Sequence, residues 1–412
     1  MVMVPKRWHK CMVADVAEVA RGASPRPIEN YLTPNARGIN WIKIGDAPIN
    51  GNRIRHTAER ITPEGALKSV FVRTGDLILS NSMSFGRPYV AEIDGCIHDG
   101  WLKLSSFSRC ADREFLVYLL SSRAIISQYE SLAAGSGVKN LNKEVVSKVV
   151  LLLPQLAEQR AIADVLSGFD EHLANLDELI AKKKAIRDGA LEELVTGRTR
   201  IADYRDPWVK IRFEEAIQPK ARIGWQGLKA EEYLPMGYSY LIGGTDFDSG
   251  TIAFDSISFV SSERYELDPY IQVRPGDVLV TKDGTIGKIA RVPQLNKPAT
   301  LNSGVFVFRP NVGLSREFLY WVLMSPVFER FIDTLAAGST IKHLYQKDLK
   351  DFTFMAPPSL SEQTALAEIL FGVSEEIRLL EEERAKVERL KLGAMDDLLT
   401  GRLRLPIEER TA

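Results

Sequence analysis

Pro154-Gln155-Leu156-Ala157-Glu158-Gln159 returns as Pro358-Ser359-Leu360-Ser361-Glu362-Gln363, and Thr196-Gly197-Arg198 returns as Thr400-Gly401-Arg402. What lies between each opening and its close decides the fold. From Ile162 the apolar residues fall at Leu166, Phe169, Leu173, Leu176 and Ile180, a spacing of 4, 3, 4, 3, 4. That is the seam of a coiled coil. The second stretch repeats it at Leu366, Leu370, Val373, Ile377 and Leu380, then Val387, Ala394 and Leu398. Proline before and glycine after are helix punctuation. The pattern predicts two helices of roughly 38–40 residues, ~58 Å each at ~1.5 Å per residue. Pairing them antiparallel within one chain is the simplest way to bury both seams.

Polar residues break the seam at Lys183 and Arg187, and at Arg384 and Lys391. Such breaks fix register in coiled coils. The outer faces carry Lys182-Lys183-Lys184 and Glu381-Glu382-Glu383. Charge runs of this kind read first as solvated faces and second as a docking surface.

The repeat reaches beyond the helices. Leu132-Ala133-Ala134-Gly135-Ser136 recurs as Leu335-Ala336-Ala337-Gly338-Ser339. A period near 200 residues far exceeds the ~20–50 of a solenoid unit and indicates a duplicated domain plus helix. The expected organisation is a first long segment (1–156), a helical region (157–204), a second long segment (205–357) and a closing helical region (358–412).

Charge is distributed along the same divisions. The net charge is −1. Residues 1–156 carry 20 basic against 14 acidic side chains, 157–204 carry 7 against 10, 205–357 carry 18 against 18, and 358–412 carry 8 against 12. A polyanion would therefore bind the long segments, and the acidic helical regions serve another purpose. No apolar run approaches a membrane span, and the start lacks the apolar core of a signal peptide. The three cysteines, Cys11, Cys96 and Cys110, form no CxxC pair, and the five histidines are scattered. Neither a disulfide framework nor a zinc site is expected, and a cytoplasmic setting is.

Within the long segments, strands are predicted around 40–44, 76–79, 149–153, 277–280 and 304–308. Short helices are expected after Asp112 and Ser315, both good N-caps. Arg73-Thr74-Gly75-Asp76-Leu77-Ile78-Leu79 matches Arg274-Pro275-Gly276-Asp277-Val278-Leu279-Val280. The copies then diverge, into Ser80-Asn81-Ser82-Met83-Ser84-Phe85-Gly86-Arg87 and Thr281-Lys282-Asp283-Gly284-Thr285-Ile286-Gly287-Lys288. A kept scaffold with altered loops suits paralogous recognition domains with different ligands; neutral drift after duplication gives the same pattern.

Catalytic motifs are not found. Gly284–Lys288 lacks the glycine and hydroxyl positions of a phosphate loop, with Lys282 and Ile289 standing there. Leu267-Asp268-Pro269-Tyr270 lacks the second proline of an amino-methyltransferase box. No Gly-x-Ser-x-Gly elbow and no His-Glu-x-x-His occur. The chain reads as one that binds rather than catalyses.

Taken together, these residues resemble the specificity subunit of type I restriction-modification systems, over nearly the whole chain. The resemblance rests on two recognition-like segments. Each is followed by a helix that opens with Pro-x-Leu-x-Glu-Gln and closes with Leu-(Val/Leu)-Thr-Gly-Arg. Trp41-Ile42-Lys43-Ile44-Gly45-Asp46, Thr281–Gly287 and the Leu-Ala-Ala-Gly-Ser stretches are also similar to that family. It implies an α+β fold: two mixed α/β target-recognition domains separated by two long antiparallel helices in an intramolecular coiled coil, with pseudo-two-fold form. Each domain would read one half of an asymmetric bipartite double-stranded DNA site, and the helices would set the unspecific spacer. Half-sites read from one face of DNA lie about 34–36 Å apart, a distance comparable with the helix length. Two modification subunits would dock on the helices and supply S-adenosylmethionine and the DNA methylation chemistry. Restriction subunits would bring ATP, Mg and translocation. No cofactor or metal is expected on this chain, and it is not expected to be an enzyme.

For base or phosphate contact the candidates are Lys43, Asn81, Ser82, Arg87, Lys139 and Asn140 in the first domain, with Lys282, Asp283, Lys288, Lys342 and His343 in the second. Arg26 and Arg222 are weaker additions. These side-chain types suit groove edges and phosphates. The competing reading is a coiled-coil interaction scaffold with protein-binding heads.

Overall fold

Leu156–Val195 and Leu360–Leu398 are continuous helices of 40 and 39 residues. Each starts two residues after its proline, Pro154 or Pro358. Just beyond each lies a glycine with left-handed backbone, Gly197 at φ +70° and Gly401 at φ +71°. Glycine takes this conformation without the penalty a Cβ would add, so it stops the helix. These features come from a computed structural model that describes residues 8–48, 51–81, 86–134, 141–223, 227–337 and 343–406. No helix among the described residues is long and apolar enough to cross a membrane.

The chain divides into two compact units, Met1–Glu178 with Glu382–Ala412, and Leu179–Glu381. Each holds one long segment, here termed a head, the opening part of the helix that follows it, and the closing part of the other helix. In the first head, Glu18–Arg21, Trp101–Ser105, Leu77–Ser80, Pro88–Ala91 and Arg53–Ile54 form a five-stranded sheet in that order. A second sheet runs Glu59–Ile61, Ile39–Ile42, Gly95–Ile97, Val70–Val72. In the second head the corresponding sheets run Ile217–Ala221, Val305–Pro310, Val278–Thr281, Ile289–Arg291, and Ser258–Val260, Ser239–Ile242, Ala299–Leu301, Gln272–Val273. In both heads the central pair of the second sheet is parallel, Trp41 against Cys96 and Tyr240 against Ala299.

The predicted strands and capped helices are present. Leu77–Ser80 and Val278–Thr281 are buried at every position. That is why they read as unbroken apolar runs rather than alternating ones. Arg113–Leu120 and Arg316–Met324 begin where Asp112 and Ser315 accept from the Phe115 and Phe318 amides, both at 3.0 Å. Each head is closed by its first strand pairing antiparallel with its last: His9–Met12 with Val150–Leu153, and Val209–Arg212 with Thr353–Ala356.

The Glu-Gln of each helix start has a structural task. Gln159 is fully buried; its Oε1 accepts from the Asp112 amide at 2.8 Å and its Nε2 donates to the carbonyls of Cys110 and Pro154. Gln363 repeats this with the Ser315 amide and the Gly313 and Pro357 carbonyls. One amide thus ties the head's capped helix to the long helix. The neighbouring glutamates, each 1% exposed, receive the arginine that follows the opposite helix. Arg200 Nη2 reaches both Glu362 oxygens at 2.9 and 3.0 Å, its Nε reaches Oε1 at 3.3 Å, and Trp208 Nε1 adds a further bond at 3.2 Å. Arg404 reaches Glu158 through Nε and through Nη2 at 2.7 Å. Each unit therefore carries a clasp between the start of one helix and the residues just past the end of the other.

The apolar stripe serves two purposes along its length. Ile162 and Leu166, with Phe169 half-buried, belong to the core of the first head together with Leu398 and Leu399. Leu366 and Leu370 belong to the second head's core with Leu191, Leu194 and Val195. Leu176, Ile180, Ile377 and Val387 are buried in the middle of the helices, and Leu173, Val373 and Leu380 are half-buried there. A uniform helix–helix seam was expected; in its outer turns the stripe is head core instead. Periodicity reports that a face is covered, not what covers it.

Of the four polar breaks, three pair between helices within a unit. Asp170 meets Lys391 and Asp177 meets Arg384, seven residues forward on one helix against seven back on the other, so the segments run antiparallel. Lys183 meets Glu376 in the second unit. Arg187 bonds its neighbour Asp188. Exposed pairs of this kind contribute about 0–1 kcal/mol each; their value lies in register.

Candidate nucleic-acid interface

The buried strand pairs antiparallel with the strand that follows it, Pro88–Ala91 or Ile289–Arg291, and the base of this hairpin is built identically in both heads. The Ser80 amide donates to the Arg87 carbonyl at 3.1 Å and the Gly86 amide to the Ser80 carbonyl at 2.9 Å. The Thr281, Lys288 and Gly287 backbone groups repeat these bonds at 3.0 and 2.9 Å. Gly86 at φ +76° and Gly287 at φ +82° make the turn. A Cβ on Gly86 would sit 2.6 Å from the Tyr129 ring.

Asn81 and Lys282 occupy one backbone position. Their amides donate to Gly100 and Gly304, and their carbonyls accept from Leu141 and Leu344. Two other segments thus converge on the base of each hairpin, the turn after the second sheet's central strand and the chain leaving the Leu-Ala-Ala-Gly-Ser stretch; beside the hairpin of the second head lies a 3-10 turn with a counterpart in the first. That last turn is Ile44–Asp46 in one head and Gly244–Asp246 in the other. The Lys43 and Gly243 amides donate to Asp46 and Asp246 at 2.7 Å. A Cβ on Gly244 would meet Thr281 at 2.9 Å, so turn and hairpin are in close approach.

The scaffold is shared and the chemistry is not. In the first head Lys43 Nζ lies 2.7 Å from Glu59. Asn81 is 4% exposed and donates from Nδ2 to the Asp99 carbonyl at 2.8 Å. It braces the adjoining turn rather than facing solvent. Arg87 donates to the Gly51 carbonyl at 2.9 Å and stacks on Tyr89, in a groove shared with Asp170 and Lys391 of the long helices. Arg26 pairs with Asp99 at 3.2 Å. In the second head Lys282 Nζ lies 5.3 Å from the Phe306 ring centre. Burial pulls its pKa below the usual lysine range, with Asp283 acting in the opposite direction. Asp283 pairs with His343 Nδ1, and the two residues also form a β-bridge. Lys288 is exposed. The structure therefore brings Lys282, Asp283 and His343 together. Arg222 is 3% exposed and donates to the Leu301 carbonyl, so its guanidinium is internal. Ser82, Lys139, Asn140 and Lys342 lie outside the described residues.

One group was missed in the sequence. An open groove of about 770 Å³ in the first head is lined by Ser24, Arg26, Lys43, Glu59, His98 and Asp99. Only Arg26 and Lys43 stood out beforehand. A His-Asp-Gly triplet directly after a strand was the available signal. The rejected catalytic motifs have structural roles: Asp268 caps the turn Pro269–Ile271, and Gly284–Lys288 leads into a strand rather than a helix. Among the described residues no cluster of potential metal ligands occurs.

The family profile described as "Type I restriction modification DNA specificity domain" matches residues 5–184 and again 229–389, more than half the chain. The chain belongs to the type I restriction-modification specificity family. The first match takes in the first head, the second all but the opening of the second head, and each includes much of the following helix. Relatives include the Type I restriction enzyme MjaVIII specificity subunit of Methanocaldococcus jannaschii, 25% identical over 98% of this chain and 94% of that one. The EcoBI specificity subunit of Escherichia coli is 23% identical over 98% and 88%. The S subunit of a type I system from M. genitalium shares the fold, with TM-score 0.61, 17% identity and 97% of each chain covered. A structure from a study of type I complex assembly gives TM-score 0.59 at 19% identity, covering 97% of this chain and 100% of that one. As a specificity subunit the chain is a non-catalytic DNA-recognition component that works in assembly with other subunits.

Proposed function

We propose that each head reads one half of an asymmetric bipartite DNA site and that the two long helices set the spacer between halves. The observation that carries this reading is the pair of hairpin bases. Their backbone bonding is the same, while Lys43, Asn81 and His98-Asp99 stand where Gly243, Lys282 and Asn302-Ser303 stand in the other head. A common frame with different donors and acceptors is what two different half-sites require. The reading assigns recognition to 1–156 and 205–357, and spacing and docking to 157–204 and 358–412. Lys43, Arg87, Lys282, Asp283, Lys288 and His343 are the contact candidates, with Ser82, Lys139, Asn140 and Lys342 kept as candidates from the sequence; Asn81 acts by positioning. Two modification subunits dock on the acidic helical regions and bring S-adenosylmethionine; restriction subunits bring ATP and Mg, all in the cytoplasm. The test is expression with the cognate modification subunit followed by genome-wide methylation sequencing. A split motif with unlike halves is expected. A continuous motif, or none with assembled subunits, overturns the reading.

A further inference from the structure

The groove in the first head contains a carboxylate that DNA would repel unless it had a task. Asp99 lies beside His98 and among Arg26 and Lys43, with Glu29 and Glu59 also lining the groove, and phosphates would approach the two cations. Its placement is rigid. Oδ1 accepts from Ser24 Oγ at 2.8 Å and lies 2.9 Å from His98 Nε2. The Asp99 amide donates back to Ser24 Oγ at 3.3 Å, and its carbonyl accepts from the buried Asn81 amide. His98 is fixed in turn, since its Nδ1 accepts from the Gly100 amide at 2.9 Å. Burial raises the Asp99 pKa, but Ser24, His98 and Arg26 outweigh it and hold the group below the usual carboxylate range. At neutral pH it is an acceptor only.

The other oxygen is differently placed. Among the described residues Oδ2 receives only Arg26, at 3.2 Å, and the Arg26 side chain is 81% exposed. Such a contact contributes little and exchanges readily. Arg26 can turn to a phosphate and leave Oδ2 facing the groove. The equivalent turn in the second head is Asn302-Ser303-Gly304, with the Asn302 amide bonded to Ile242 as His98 is to Ile42. The carboxylate is thus a difference between the heads within one scaffold.

We propose that Asp99 is a specificity-determining residue of the first head, its Oδ2 accepting from the exocyclic amino group of a base, adenine N6 or cytosine N4. This deepens the reading of the head as a half-site reader and rests on it. A carboxylate pairs with an amino edge and opposes the keto oxygens of guanine and thymine. A mismatch at a base pair that is read typically costs between about 5-fold and 150-fold in affinity.

The experiment uses the full chain assembled with its modification subunits. Genome methylation is sequenced for the wild type and for Asp99→Asn and Asp99→Ala. Competition binding to oligonucleotides varied one base at a time is measured alongside. Both variants are expected to relax one base position in one half of the motif, with the other half and the spacer unchanged. A motif kept in full by both variants overturns the assignment, as does equal weakening on every sequence. A variant that loses methylation while assembling is decided by the competition series, where discrimination kept at every position counts against Asp99. A wild type without any split motif refutes the half-site reading instead, and so the two failures are distinguishable.

Discussion

Glu158 and Glu362 are buried carboxylates, and each is paired with one arginine. Arg404 and Arg200 are 39% and 27% exposed, so the positive partner is half in water and the negative one is not. Removing the arginine leaves a buried charge uncompensated, a loss of about 3 kcal/mol, at the lower end for a broken buried pair. For a unit of this size that corresponds to roughly 6–12 °C in melting temperature. Arg404→Ala is therefore expected to lower the calorimetric transition of the first unit and Arg200→Ala that of the second. Arg402→Ala is the control. It breaks only exposed pairs with Asp396 and Asp397 and should shift little. Equal effects from Arg402 and Arg404 would refute the clasp.

At the scale of elements, the helices carry two kinds of apolar position, and substitution should separate them. Ile377 is 3% exposed in the middle of its helix, whereas Leu173 is half-buried. Ile377→Asp removes core contacts and buries an unpaired carboxylate, for a loss of at least about 3 kcal/mol. Leu173→Asp is the milder change, because water reaches its side chain. The double variant is expected to lose co-purification with the modification subunit while the heads keep their β signal in circular dichroism. Unchanged assembly would count against the helices as the dock.

At the scale of the whole molecule, charge bears on binding strength. The first head region has a basic excess, and residues 205–357 carry 18 basic and 18 acidic side chains. Among the cations of the first head, Lys43 and Arg26 are themselves paired with carboxylates. The isolated chain is therefore expected to bind DNA weakly and through phosphates. If about six phosphates are contacted, affinity falls roughly 1,000-fold between 50 and 200 mM salt. A fluorescence-anisotropy titration over that range checks this, and a flat salt response would contradict it.

Repeat, period and punctuation were sufficient for the architecture. The 4, 3, 4, 3 spacing, the proline starts and the glycine stops are local properties, and helices of 40 and 39 residues follow from them. The buried strands and the capped helices were legible for the same reason, since burial of both faces and a capping side chain are written in adjacent residues. The purpose of Glu158, Gln159, Arg200 and Arg404 was not legible, because their partners lie far along the chain. Nor was the division of the stripe between head core and helix middle, which depends on what packs opposite. Asn81 and Arg222 looked like free polar side chains and proved internal; Ser24, His98 and Asp99 drew no notice and share a groove. Local pattern chooses elements, but only tertiary folding decides which side chains stay in water, because exposure depends on neighbours remote in sequence.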